Sequence, residues 1–428
     1  MSTENTSSQF EDIRAKFGRF RILIVGRANA GKTTILQKIC NTTENPEIYD
    51  GKGNKRGIHD VENELIFRSN DKFVFHDSQG FEAGSKVEFE RTKKFIADRA
   101  NTMYLKKRLD AIWYCIPMDK IDRAIQRSEE IFFGECDPNN VPVVVLFTKF
   151  DALQAKAVPK LAPSDRRLPL QEMLSKLPPL MEEIFNSADV WGRLAKMAYP
   201  PKSSVRLENI HKGNEGHNIL VENTAAVLSD EVLQMLFVSA QETNIGLCVK
   251  YAAERVIISG IGRMCNTGFS HSREEQISRL ACWFPHFQAV SCAFWHFGGC
   301  GDADHFMSTH HPALAIILLD KHEINFTTTD IQALKSDNQD NFITWQQYLH
   351  AGVETLLILE HSFYLSQMED SDPISSAAQK YWMSDIPTKV NTALEDVSMQ
   401  YGTASEEEKV AMICNVVMQN HMVRPVAK

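Results

Sequence analysis

A chain of 428 residues exceeds what one hydrophobic core usually serves, so two or three domains are expected. Its 43% hydrophobic and 24% charged residues describe an ordinary folded protein, and a formal charge of −9 argues against nucleic acid or anionic lipid as partner. Nine cysteines, none in a C-x-x-C pair, follow a polar start at Met1–Glu11 that lacks a secretory signal. Free thiols and a cytoplasmic location are the expectation.

Residues 1–18 are Ser/Thr/Glu-rich and read as a flexible tail. The apolar run Ile22–Val25 then ends at Gly26 and leads into Arg27-Ala28-Asn29-Ala30-Gly31-Lys32-Thr33-Thr34. This is G-x-x-x-x-G-K-[ST] between a strand pattern and a helix pattern (Ile35, Leu36, Ile39), the arrangement of a phosphate-binding loop. Gly26 and Gly31 let backbone N–H groups turn toward phosphate oxygens. Lys32 supplies charge to the β- and γ-phosphates, and the Thr33 hydroxyl suits Mg²⁺.

Asn41–Asp60 is polar and too long for a simple connection, which suggests a functional loop. Glu62–Phe67 and Phe73–His76 read as an antiparallel hairpin whose second strand runs into Asp77-Ser78-Gln79-Gly80. An Asp at that strand end can hold Mg²⁺, and the Gly80 N–H can contact a γ-phosphate. A basic helix over Lys86–Met103, a strand over Ala111–Ile116 and a helix from Lys120 to Phe133 follow. The branched run Val141–Phe147 has the pattern of a strand buried on both faces, and it delivers Thr148-Lys149-Phe150-Asp151. A carboxylate there can accept from guanine N1–H and the 2-amino group. Adenine would leave it unpaired, so discrimination can reach roughly 10⁴ or more.

Residues 152–230 interrupt the alternation and read as an insertion, with Gln171–Phe185 helical and Pro200–His217 a polar loop. Leu236–Val238 then carries the core into Ser239-Ala240-Gln241, and the helix Gly246–Ser259 closes the first domain. From 259 to 428 the periodicity is helical, with a stripe Phe342, Trp345, Leu349, Val353 and Leu356. Thr329-x-x-Gln332 and Ser405-x-x-Glu408 look like capping boxes. The most apolar window, Cys282–Phe297, contains Pro285 and is too short to cross a bilayer, so no membrane span is expected. Cys292, His296, Cys300 and His305 match no zinc-finger spacing and read as core residues of aromatic-rich helices.

The four motifs GRANAGKT, DSQG, TKFD and SAQ stand in the order seen in P-loop GTPases of the translation-factor-like (TRAFAC) class, over residues 19–258. Arg27 and Asn29 make the first motif most similar to Era-like and septin-like members. The layout, with RGIHDVENEL before HDSQGF and a helical tail, also resembles G-domain proteins of fungi. The resemblance implies an α/β G domain with a mainly parallel sheet and one antiparallel hairpin, followed by an all-α domain. It implies GTP and GDP as ligands and Mg²⁺ held by Thr33 and Asp77. Lys32, Thr33, Asp77 and Gly80 would act in γ-phosphate hydrolysis. Residues 27–34, Gly80, Thr148, Lys149, Asp151, Ser239, Ala240 and Gln241 would bind the nucleotide, with the Ala240 N–H facing guanine O6.

Two departures bear on activity. No Thr or Ser stands between Glu44 and Arg68, where such GTPases place a switch Thr, and Phe81 occupies the place of the catalytic Gln. Slow hydrolysis is therefore expected, stimulated by a partner protein, a homodimer contact or a cation. Switch loops or the helical domain would carry such contacts. By resemblance the cation is K⁺, held by the Asn29 side-chain oxygen and by carbonyls of the Asn54–His59 loop. Two alternatives stand beside it: Asn29 serves only the loop conformation, or Arg56 acts as a finger. The rival readings of the whole are a nucleotide-binding scaffold without hydrolysis, and an ATPase.

Overall fold

The structure is a computed structural model that describes residues 19–50, 54–56, 60–78, 86–102, 104–162, 165, 169–210, 215–241, 244–267, 273–281, 283–284, 345–366 and 373–421. The described residues from 19 to Ala240 form one compact unit, and those from Gln241 group with the C-terminal helices as another. The stretch 241–258, expected to close the first domain, thus clusters with the helical unit.

The first unit is built on an eight-stranded sheet of order β3-β2-β4-β5-β1-β6-β7-β8. Its strands are β1 (Phe20–Gly26), β2 (Glu47–Tyr49), β3 (Lys55–Arg56), β4 (Glu64–Phe67), β5 (Asn70–Asp77), β6 (Ala111–Pro117), β7 (Val143–Thr148) and β8 (Ser203–Arg206). β5, β1, β6, β7 and β8 run parallel, and β4, β2 and β3 extend the sheet antiparallel. The hairpin of β4 and β5 forms as its sequence predicts. β2 and β3, inside the long polar loop, are additional.

β1, β6 and β7 are buried along their whole length, which is why they read as unbroken apolar runs and not as alternation. The helices of this unit include α1 (Lys32–Ile39), α2 (Lys86–Ala100), α3 (Arg127–Glu135), α4 (Leu177–Ser187), α5 (Glu215–Val227) and α6 (Glu231–Ser239). The helix expected from Lys120 to Phe133 is divided: a 3₁₀ segment, Met118–Arg123, kinked at Lys120, precedes α3, which holds its second half. α5 is tied to the sheet centre, where the buried Trp113 indole N–H donates to Thr224 Oγ1 at 3.1 Å.

Two expectations fail on the last third of this unit. The span 152–230 is not simply inserted. It supplies edge strand β8, which buries Val205 against β7, and the helix α5. Leu236–Val238 belongs to helix α6 and adds nothing to the sheet. Asp230 caps that helix, its Oδ1 accepting from Leu233 N–H at 3.1 Å, while Gln234 Nε2 donates to Ala225 O at 2.9 Å.

The described residues of the second unit are helical: α7 (Ile245–Ala252), a π-helical turn Ala253–Ile258, α8 (Ser259–Thr267), α9 (Arg273–Ala281), α10 (Trp345–Ser366), α11 (Pro373–Trp382), α12 (Ile386–Tyr401) and α13 (Glu406–Asn420). α10 is its axis. Leu349, Val353 and Leu356 are buried as the stripe predicts, but so are Glu360 on the same face and Glu354 and His361 on another. Close approach rests on two glycines. A Cβ on Gly260 would lie 2.5 Å from Tyr348 Oη, and one on Gly352 would lie 2.7 Å from Ile257 Cδ1. The capping box at Ser405 and Glu408 is formed. Phe342, Thr329, Gln332, Cys292, His296, Cys300 and His305 lie outside the described residues.

Candidate functional site

Parallel strands bring their C-terminal ends to one edge. Register pairs Ile24 with Asp77, Gly26 with Cys115, Pro117 with Thr148 and Phe147 with Arg206. The segments that leave those ends, 26–33, 77–78, 117–124, 148–151 and 207–209, are therefore neighbours, where α/β sheets bind ligands.

At the centre is the turn after β1. Gly26 has φ 146°, and a Cβ there would sit 2.5 Å from the Cys115 carbonyl oxygen, so only glycine lets β1 turn beside β6. Asn29 (φ 58°) and Gly31 (φ 87°) are left-handed. Gly31 N-caps α1 with no side-chain cap, so no capping side chain takes up the first-turn N–H groups. Lys32 Nζ donates to Gly26 O at 3.1 Å and Arg27 O at 3.3 Å, and lies 3.8 Å from Asp77 Oδ1. Ala28, Asn29 and Thr33 are exposed, Thr34 is half-buried, and Ala30 is buried beneath the loop. Ser78 N–H donates to Ile24 O at 3.1 Å and fixes the strand end that carries Asp77. Gly80 and Phe81 lie outside the described residues.

The Arg27 side chain is bound within the protein, with Nε donating to Glu129 Oε1 at 3.2 Å and the terminal nitrogens to Arg123 O and Ala124 O.

The base end gathers around β7. Thr148 is buried, and Lys149, left-handed at φ 53°, donates from Nζ to Asp119 Oδ2 at 3.2 Å. Asp151 Oδ1 accepts from Asn209 N–H at 3.0 Å. Phe150 N–H bonds Leu207 O and Leu207 N–H bonds Phe147 O, so the chain leaving β8 runs beside TKFD. Burial and the neighbouring Asp151 push the Glu208 carboxyl above its ordinary range.

Ser239, Ala240 and Gln241 do not join this site. Ala240 O accepts from Asn70 Nδ2 at 2.9 Å, and Phe237 packs 4.7 Å from Phe20. Asn70 and Phe20 begin β5 and β1, so Ser239 and Ala240 stand at the opposite edge, about 20 Å along β1 from the phosphate loop. Gln241 is buried and belongs to the second unit. The residues that stand beside Asp151 are Glu208 and Asn209. The alternation of Val205 and Leu207 after Pro200-Pro201 was the available signal for the strand that delivers them.

Residues 21–149 match the family model described as 50S ribosome-binding GTPase. GTPase Der of Natranaerobius thermophilus is 23% identical over 146 residues, which are 34% of this chain and 31% of Der. The chain thus spans about a third of that relative's length. A crystal structure of an Era variant from Aquifex aeolicus, bound to GDP.AlF4-, covers 55% of this chain and 67% of its own at 18% identity, with a TM-score of 0.28. The likeness to the GTPase family is thus carried by residues 21–149. A second, helical unit of the chain follows them. No helix among the described residues is long and apolar enough to cross a membrane.

Proposed function

We propose that this chain binds GTP and GDP and hydrolyses GTP slowly as a molecular switch. The observation that carries the reading is that one sheet edge brings the segment after β1 and the segment after β7 together. Lys32 and Asp77 stand 3.8 Å apart at the phosphate end, and Asp151 is oriented by Asn209 at the base end. Thr33, Asp77 and Lys32 act on the phosphates, with Gly80 as γ-phosphate sensor. Thr148, Lys149 and Asp151 hold the base, and the Asn209 N–H orients the Asp151 carboxylate.

The exposed Thr33 hydroxyl and the Asp77 carboxylate are hard oxygen donors beside one lysine, a set that suits Mg²⁺. Bound there, Mg²⁺ would neutralise charge on the β- and γ-phosphates. Potassium has thinner support. Asn54 is held in the β2–β3 hairpin, with its carbonyl on Asp50 N–H and its side chain on the Asp50 carboxylate, and Lys55 is in β3. β3 lies four strand spacings from β1, about 19 Å, so a K⁺ site rests on Asn29 alone among the described residues. A homodimer or effector contact through the switch loops or the helical unit, and a cytoplasmic location, belong to the same proposal.

The test is displacement of a fluorescent GDP analogue by GTP, GDP and ATP, with and without EDTA. GTP and GDP should compete at least about 100-fold better than ATP. Lys32→Ala should weaken both, and Thr33→Ala should weaken GTP only when Mg²⁺ is present. Equal competition by ATP would overturn the guanine reading. Indifference of GTP binding and of the Thr33→Ala defect to EDTA would overturn the metal role.

A further inference from the structure

We propose that Glu129 is a positioning residue for the phosphate loop and acts through Arg27. The carboxylate is fully buried, yet it stands on α3 and belongs to none of the GTPase motifs. Every partner of Glu129 fixes a piece of the site's framework. Oε1 takes Arg27 Nε at 3.2 Å and the Tyr114 hydroxyl, from the centre of β6, at 3.3 Å. Oε2 takes Gln126 N–H at 2.8 Å and the Ser128 hydroxyl at 3.0 Å, which closes the capping box of α3.

Arg27 completes the link. Its guanidinium also donates to Arg123 O and Ala124 O, so three acceptors hold it in one orientation. Its own carbonyl is the hinge of the loop, accepting from Ala30 N–H and from Lys32 Nζ, both at 3.3 Å. Where the guanidinium goes therefore decides where the Arg27 carbonyl sits, and with it Lys32. A fully buried carboxylate would be costly without this cation and the three neutral donors beside it, and the cation is equally fixed by it. The same linker that receives Arg27 carries Asp119, the partner of Lys149. Phosphate loop and base loop thus lean on one support.

This inference rests on the nucleotide reading above, and its test separates the two. Glu129→Gln, Arg27→Gln, Arg27→Lys and the double variant Arg27→Gln/Glu129→Gln are compared with wild type by GDP affinity and by amide exchange of the nucleotide-free proteins. Glu129→Gln should lower GDP affinity about tenfold or more and speed exchange across residues 26–34, leaving β6 and β7 protected. Arg27→Gln should match it. The double variant should be no worse than either single one, since Glu129 acts only through Arg27. Arg27→Lys should fall between, keeping the charge and losing the fork. A wild type that binds no GDP, with the loop still loosened in Glu129→Gln, would end the nucleotide reading and keep the positioning role. GDP binding and loop exchange unchanged in Glu129→Gln, with only a lower melting temperature, would end the positioning role. Additive losses in the double variant would end it as well.

Discussion

At the scale of single residues, the chemistry divides into side chains that face the site and side chains that hold it. Lys32, Thr33, Asp77 and Asp151, the residues proposed to meet the nucleotide, could be read from spacing because that role requires fixed intervals behind buried strands. Arg27, Glu129 and Asn209 could not, because their partners are 102 and 58 residues away in sequence. His76, next to Asp77, shows how tightly the strand end is built. It is fully buried, its Nδ1 lies 2.9 Å from Val61 O, and its Nε2 lies 3.3 Å from Arg21 Nη1. One ring nitrogen must donate and the other accept, which is the neutral imidazole. Burial first, then the Arg21 and Arg99 charges, hold it down to about 3. The folded value lies below the unfolded value of about 6.5, so the unfolded chain binds the proton first. Stability from this group is full above about pH 6.5 and is lost as pH falls toward 3, by up to about 1.4 kcal/mol per pH unit. Denaturant unfolding between pH 4 and 7 should therefore show a shallower acid-side slope for His76→Gln. Equal slopes would show that the imidazole is not held neutral.

At the scale of elements, strands of uniform burial were legible and helix-strand choices in mixed segments were not. Ala111–Ile116 and Val141–Phe147 are branched, apolar and short, and became β6 and β7 within a residue or two. Leu236–Val238 has the same composition. It lies inside a helix because Asp230 caps the turn before it and Gln234 reaches Ala225 O. The edge strand β8 was missed for the opposite reason: an edge buries little, and only Val205 among its residues is buried. α6 can thus be weakened without touching the site. Asp230→Ala should cost about 1 kcal/mol of unfolding free energy by loss of the cap, and leave GDP affinity within about twofold. A large loss of affinity with unchanged stability would place α6 at the nucleotide after all.

At the scale of the whole molecule, the parallel sheet turns scattered motifs into one site, because each strand delivers its chemistry at the same edge. The order of motifs in the chain was enough to anticipate that edge for three of them. It misled for SAQ, since order along the chain says nothing about which end of a strand a helix returns to. Among its described residues the helical unit shows a packed interior, with Gly260 and Gly352 setting how closely its helices meet. The central claim is that this edge recognises guanine through Asp151. The direct measurement is the affinity of wild type and Asp151→Asn for GTP and for XTP under one set of conditions. A guanine site predicts a GTP loss of at least about 2 kcal/mol, with XTP binding kept or gained. Equal GTP affinities for the two proteins would contradict it.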